Sequence, residues 1–191
     1  MSEVDWWRGA HGDEYTARNA ELNIEARMLL WRGILNCLDG VPGNILEIGA
    51  GGGANLQALW LLGQKRLRGI EPNEEARNKA MDDGFAMHDG TAANPGFGAD
   101  LVFTSGVLIH IPPEDLFPAC KGIFDAAGRY IVSIEYFSAE PEEKAYRGRR
   151  LWKRDFGSFW LDNFDLRPLG CGFAWSRMTG LDNLTWWAFA K

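Results

Sequence analysis

The run Asn44-Ile45-Leu46-Glu47-Ile48-Gly49-Ala50-Gly51-Gly52-Gly53-Ala54-Asn55-Leu56 constrains this chain more than any other segment. A short apolar stretch passes directly into clustered glycines and then into a helix-forming segment at 54–62. Glycines at such a junction allow a tight turn, positive φ and bare backbone that a ligand can approach closely. The alternation then repeats, with strands expected at 67–70, 85–88, 100–104 and 130–134 and helices at 74–83 and about 112–127. Asn73 suits an N-cap for the first of these helices, and Pro112-Pro113 suits the first turn of the second. Strands separated by helices imply parallel βαβ units, hence a doubly wound α/β sheet with helices on both faces.

The flanks break this rhythm. Trp6 to Tyr15 leads into a short helix, and 21–38 reads as a longer one, with Leu22, Ile24, Ala26, Leu29, Leu30, Ile34 and Leu38 largely on one face. After the core, 136–155 is polar and basic, and 155–163 reads as a helix. The segments 166–175 and 184–190 look like strands joined by a loop with Gly180, an antiparallel hairpin closing a parallel sheet. The 191 residues are therefore expected to form one domain: a helical cap at 1–40, a core at 44–135, an insertion at 136–165 and a strand pair at 166–191.

Composition narrows the partners. With 20 Lys plus Arg against 26 Asp plus Glu the net charge is −6, which argues against nucleic acid or an anionic membrane as partner. Cys37, Cys120 and Cys171 are widely spaced and form no CxxC, so neither a metal site nor a disulfide framework is expected. The acidic start Met1-Ser2-Glu3-Val4-Asp5 is unlike a signal peptide, and no apolar run reaches membrane-spanning length. The expectation is a soluble, cytoplasmic protein with a small-molecule partner; the oligomeric state is left open.

Open α/β sheets bind ligands beyond the carboxyl ends of their strands. The glycine loop Gly49, Ala50 and Gly51 ends the first strand, and Asn55 lies in the turn of helix that follows. Gly49 to Ala54 also satisfies the G-x-G-x-x-A variant of the dinucleotide fingerprint, so the glycines alone leave the ligand open. Glu47 favours a different occupant: its carboxylate would repel a diphosphate but tolerate the cationic sulfonium of S-adenosylmethionine (SAM). Glu71, with Pro72 and Asn73, follows the second strand, where a carboxylate can accept hydrogen bonds from both ribose hydroxyls. Asp89 and Gly90 follow the third strand, where Asp89 could accept from an adenine amino group. Ser105, Gly106 and Val107 follow the fourth, under the methionine end of such a cofactor.

These residues together resemble the class I SAM-dependent methyltransferases. Glu47-Ile48-Gly49-Ala50-Gly51-Gly52-Gly53 matches their first glycine motif, Glu71 their ribose acid, and Asp100-Leu101-Val102-Phe103 the start of their fourth strand. A narrower likeness is to the methylases associated with pseudaminic acid biosynthesis. It rests on Trp7-Arg8-Gly9, Gly12-Asp13-Glu14-Tyr15-Thr16-Ala17-Arg18-Asn19, Glu135-Tyr136-Phe137-Ser138, Tyr146-Arg147-Gly148 and Leu151-Trp152-Lys153-Arg154-Asp155-Phe156. The resemblance implies a Rossmann-like class I fold, with an N-terminal helix closing over SAM. Tyr15 and Arg18 would then lie near its methionine carboxylate, and Trp7 close by on the acceptor side.

His110, just past the fourth strand, is the candidate base or acceptor-orienting residue for an O-directed transfer. The basic cluster 146–154 follows the fifth strand. Within it Tyr146, Arg147, Arg150 and Lys153, together with Tyr136, are candidates to hold an anionic or sugar-like acceptor. Two other readings remain open. One is an NAD-dependent oxidoreductase, disfavoured by Glu47 and by the lack of a Tyr-x-x-x-Lys pair; the other is a SAM-binding module without catalysis.

Overall fold

The computed structural model describes residues 2–19 and 23–191, so the expected start of a helix at Glu21 and Leu22 lies outside the described residues. In chain order the first elements are α1 (Glu3–Arg8), α2 (Ala10–Arg18), α3 (Ile24–Asn36), β1 (Ile45–Ile48), α4 (Ala54–Leu61), β2 (Leu67–Ile70), α5 (Glu74–Asp82) and β3 (Ala86–His88). They are followed by β4 (Ala99–Ser105), a 3-10 turn (Leu108–His110), α6 (Pro113–Ala126), β5 (Ala127–Glu135), β6 (Glu142–Tyr146) and β7 (Arg149–Lys153). The chain ends with α7 (Phe156–Asn163), β8 (Arg167–Ala174), α8 (Ser176–Thr179) and β9 (Leu184–Ala190).

The main sheet has the order β3-β2-β1-β4-β5-β9-β8, with β1 to β5 parallel and β9 antiparallel to both β5 and β8. The parallel core and the closing hairpin agree with the sequence reading. Alternate residues of each strand feed two cores, as a sheet covered on both faces requires. Ile45, Leu101, Phe103, Tyr130 and Val132 pack with Trp31 and Ile34 of α3 and Leu59 of α4. On the other face Leu46, Ile48, Val102 and Ile131 pack with Leu116 and Ile123 of α6 and Trp160 of α7.

The polar stretch after β5 is more ordered than its composition indicates. β6 and β7 form a separate two-stranded antiparallel sheet. Its turn, Arg147-Gly148, has φ of 46° and 82°, both positive as in the tight hairpin turns that match strand twist. Pairing sets Lys144 opposite Leu151 and Tyr146 opposite Arg149 on one face, with Ala145 opposite Arg150 and Glu143 opposite Trp152 on the other.

At the other end, α1 and α2 roof the carboxyl edge of the sheet. Ser2 caps α1 in a capping box with Asp5. Arg8 donates to both carboxylate oxygens of Asp89, at 2.9 and 3.0 Å. The Asn73 amide donates to the Trp7 carbonyl at 3.2 Å and to Asp13 at 2.8 Å, and Arg149 of the hairpin reaches Glu3 at 3.2 Å. The roof is thus tied at one side to the β2–β3 edge and at the other to the hairpin.

Behind the glycine loop a buried polar chain joins β1, α4 and α3. Asn55 donates to Glu47 at 2.7 Å and accepts from Arg27 at 3.0 Å and Trp31 at 3.3 Å. The second Glu47 oxygen is buried without a hydrogen-bond partner among the described residues. Burial pushes the Glu47 carboxyl up to about 8, against the pull of the Asn55 hydrogen bond and the Arg27 charge.

Two outcomes follow for stability. A Cβ at Gly12 would lie 1.9 Å from the Trp7 carbonyl oxygen and 2.5 Å from the Asn73 amide nitrogen. Overpacking of this kind costs about 1–3 kcal/mol, so Gly12→Ala should speed amide exchange in α1 and α2 about tenfold or more, with the central strands unaffected. Unchanged exchange would show that the roof is held elsewhere. A carboxyl raised from 4.5 to about 8 binds a proton more tightly in the folded chain, so its contribution is present below pH 4.5 and is lost as pH rises through 8. The melting temperature should therefore fall between pH 5 and pH 9, and Glu47→Gln should flatten that fall by several degrees. Parallel curves for the two proteins would remove Glu47 as its source.

Candidate functional site

The carboxyl ends of β1, β2, β3 and β4 meet the roof around a cavity of about 170 Å³. At its base the chain leaves β1 at Gly49, where φ is 71° and a Cβ would stand 2.4 Å from a Val107 methyl. At Gly51, with φ of 51°, an added Cβ would meet no heavy atom of the described residues within 4 Å, so the backbone is bare towards the space above it. Gly106, at the end of β4, is bare in the same way with φ of 67°.

Glu71 holds this edge together. It is 7% exposed, and its two oxygens accept the Gly51 and Asn73 N–H groups, each at 2.9 Å. Burial raises its pKa, opposed by those two amides and by Arg77. Each oxygen keeps a further lone pair, and Glu71 lines the cavity with Pro72 and Asn73. Asn73 also caps α5 through Ala76 at 2.8 Å. This is a chemical set suited to a ribose: an acceptor-only carboxylate beside backbone stripped of side chains.

A second, wider cavity of about 630 Å³ adjoins the first. Tyr15, Ser105, Gly106 and His110 line both. The far walls come from Tyr136, Lys144, Tyr146, Arg147, Leu151 and Lys153, with Arg18 and Arg27 on the helical side and Leu181, Asp182 and Leu184 beyond. Cationic side chains outnumber acids on this wall, Asp182 being the acid, and it accepts a short hydrogen bond from the Tyr136 hydroxyl. The Lys153 ammonium lies 5.1 Å from the Tyr136 ring centre.

His110 stands at the junction. Its ring meets Trp7 edge-on at 4.9 Å and Tyr146 at 5.4 Å, and Trp7 in turn meets Tyr15 at 5.3 Å. Burial, and then the charge of His11, pushes His110 down to about 4, so the imidazole is neutral at pH 7. Among the described residues no group of His, Cys, Asp or Glu side chains is arranged to hold a metal ion.

The structure separates the residues singled out from the sequence into three groups. Trp7, Tyr15, Gly49, Gly51, Glu71, Pro72, Asn73, Gly90, Ser105, Gly106, Val107 and His110 line the smaller cavity; Arg18, Tyr136, Tyr146, Arg147 and Lys153 line the larger. The rest stand off. Glu47 and Asn55 belong to the polar chain behind the loop, because strand alternation turns the Glu47 side chain to the α3–α4 face. Ala50 is buried, and a Cβ built on Gly69 would come 2.9 Å from its methyl. Asp89 is held by Arg8, with Arg77 at 3.7 Å, while its neighbour Gly90 forms the wall. Arg150 lies on the outer face of the hairpin and pairs with Glu143, which corrects the expectation that it faces an acceptor.

Some lining residues carry no sequence signal. Glu3 and Val4 enter through the roof, Thr91 and Ala92 through the loop after β3, and Arg27 and Lys144 through the larger cavity. Arg27 sits on a helix where an arginine is ordinary. Lys144 could have been found only by pairing β6 with β7, which also separates it from Arg150.

No protein-family model matches the sequence, and no curated protein matches it. Solved structures do. The magnesium protoporphyrin IX methyltransferase of Synechocystis PCC 6803, with SAM bound, is 13% identical with a TM-score of 0.72, covering 100% of this chain and 98% of its own. The 1,6-didemethyltoxoflavin N1-methyltransferase of Burkholderia thailandensis, with its substrate and S-adenosylhomocysteine (SAH) bound, is 14% identical with a TM-score of 0.75, covering 99% and 86%. The glycopeptide N-methyltransferase MtfA, complexed with SAH, is 12% identical with a TM-score of 0.66, covering 96% and 98%. At these identities the likeness is one of fold, and this chain has the Rossmann-like class I methyltransferase fold.

Proposed function

We propose that the chain is a SAM-dependent methyltransferase acting on a small anionic or sugar-like molecule, with transfer to oxygen. One observation carries this reading: two cavities, one lined by the glycine loop and Glu71 and one by cationic side chains, meet at Tyr15, Ser105, Gly106 and His110. A donor and an acceptor held there would share one wall, and proximity supplies much of the acceleration of a group transfer.

SAM, when bound, supplies an electrophilic methyl on a positively charged sulfur. The protein's contribution is to bind, orient and exclude water. Glu71 offers lone pairs to a ribose diol, and the bare Gly51 and Gly106 backbone lets the ligand lie close. The smaller cavity alone falls below the roughly 300–1,000 Å³ of ordinary ligand sites. A nucleoside seated there would therefore draw on the adjoining space or lift α1 and α2. Arg147 and Lys153 supply charge for a carboxylate or phosphate, and Leu151 and Leu184 supply apolar surface. His110, neutral at pH 7, can accept the proton that an acceptor hydroxyl gives up as its oxygen takes the methyl. The similarity of the chain's ends to the pseudaminic acid-associated methylases favours a nonulosonic acid or nucleotide-sugar acceptor.

SAH at about 100 times its Kd should stabilise the protein by about 2.7 kcal/mol, a rise of roughly 5–10 °C, while NAD should leave the melting curve in place. A shift with NAD and none with SAH would overturn the proposal. A screen of sugar carboxylates and nucleotide sugars scored by SAH release should then yield an acceptor; binding without any conversion would leave a SAM-binding module. With that acceptor, Arg147→Glu should raise its KM about tenfold or more and leave SAH affinity intact. His110→Gln should lower kcat by about 10²–10⁴ with SAM still bound. Near-normal turnover would remove His110 from the chemistry.

A further inference from the structure

Glu135 ends β5 and is fully buried, 0% exposed, outside both cavities. One of its oxygens gathers donors from the segment that crosses the junction of the cavities. The Thr104 hydroxyl donates to it at 3.0 Å, and the Val107 and Leu108 N–H groups donate to it at 3.1 Å each. Those two amides stand at the start of the 3-10 turn Leu108–His110, where a helix has no partners of its own for its first N–H groups. Val107, at the cap position, makes no side-chain cap. The same segment is pinned to β5 by Gly106, whose N–H donates to the Ile134 carbonyl at 2.8 Å. Three donors on one oxygen of a fully buried carboxylate are a demanding arrangement. Burial pushes the group up to about 7 even against the pull of the Leu108, Val107 and Ile109 amides and the Thr104 hydroxyl. An apolar side chain would fill the space without that cost but would leave the amides unsatisfied.

We propose that Glu135 is the positioning residue of the site: its carboxylate, reaching from β5, serves as the cap that the 3-10 turn lacks and so fixes His110 between the two cavities. It touches neither cavity and acts through the turn. The ionisable groups that feel its charge are Cys120 of α6, itself beside Arg154, and Tyr136. Those around His110 are His11 and Tyr15 of α2 and Tyr146 of β6. The fixed turn keeps His110 packed against Trp7 and shielded from water, which is why its basicity is low.

The test compares Glu135→Gln, which retains one oxygen for the donors, with Glu135→Ala, which removes it. The chain's three histidines make imidazole titration by NMR assignable, with His110→Gln as the reference. In Glu135→Ala the His110 pKa should rise from about 4 towards 6.5, by about one pH unit or more, and the Val107 and Leu108 amides should exchange about tenfold faster. In Glu135→Gln both should stay near the wild type. A folded Glu135→Ala protein with an unmoved His110 pKa would overturn the proposal, as would Glu135→Gln behaving like Glu135→Ala. Should Glu135→Ala fail to fold, the wild type decides: Val107 and Leu108 amides exchanging as fast as exposed ones would overturn it, and protected amides that Glu135→Gln preserves would support it. The name of the site rests on the methyl-transfer reading, but these measurements need neither SAM nor an acceptor. Failure to bind SAH would sink that reading and leave the role of Glu135 standing.

Discussion

A buried carboxylate bridging two backbone amides holds the carboxyl edge of this sheet in shape. Glu71 leaves β2 and grips Gly51 across the gap to β1 and Asn73 at the head of α5. The glycine loop has few side chains to brace it and needs positive φ at Gly49, Gly51 and Gly53; beyond the Gly53–Ala50 hydrogen bond within it, it is held by the Gly49 and Ala50 N–H groups donating to the Ile70 carbonyl. Glu71 adds a side-chain anchor to these backbone bonds. A carboxylate serves because it accepts at both oxygens while keeping lone pairs for a ligand. The group that steadies the loop and the group that could recognise a ribose are therefore one residue.

The same economy recurs around the edge. Asn73 caps α5 with its oxygen and holds the roof with its amide nitrogen. Behind the loop the Glu47–Asn55–Arg27 chain locks two helices to β1, and Glu135 does the comparable task at the end of β5. Buried carboxylates are costly in isolation, and each here sits among donors from adjacent elements. The edge is thus built from polar bridges between strands and helices, whereas the body of the sheet is built from apolar alternation.

The roof and the hairpin close over this edge from opposite sides and touch through Arg149 and Glu3. Their inner surfaces differ in character. The roof presents aromatic rings from Trp7 and Tyr15, while the hairpin presents Lys144, Tyr146 and Lys153. An acidic protein thereby gathers positive charge in one cavity wall, a local field opposite in sign to its net charge of −6.

Much of the scaffold could be read from the chain alone. The strand–glycine–helix junction, the later βα alternation and the closing strand pair depend on local periodicity and turn chemistry, which are properties of short segments. Glu71, Ser105 and Gly106 were legible for the same reason: their place at the carboxyl ends of strands follows from strand order along the sequence. Glu47 shows the limit. Its motif position is plain, but whether its side chain faces the ligand or the helices depends on which residues of a short strand point to which face, and the packed layers set that phase. The hairpin shows another, since Arg147 adopts a left-handed φ that side chains disfavour, and charged residues hide the alternation of β6 and β7. Sequence alone therefore determined which segments become strands and helices and which residue types gather at the carboxyl edge. Tertiary structure alone decided that Arg150 turns outward, that Arg8 holds Asp89, and that Glu135 caps the turn bearing His110. Those are contacts between residues far apart in the chain, and only the closing of the sheet brings them within hydrogen-bonding reach.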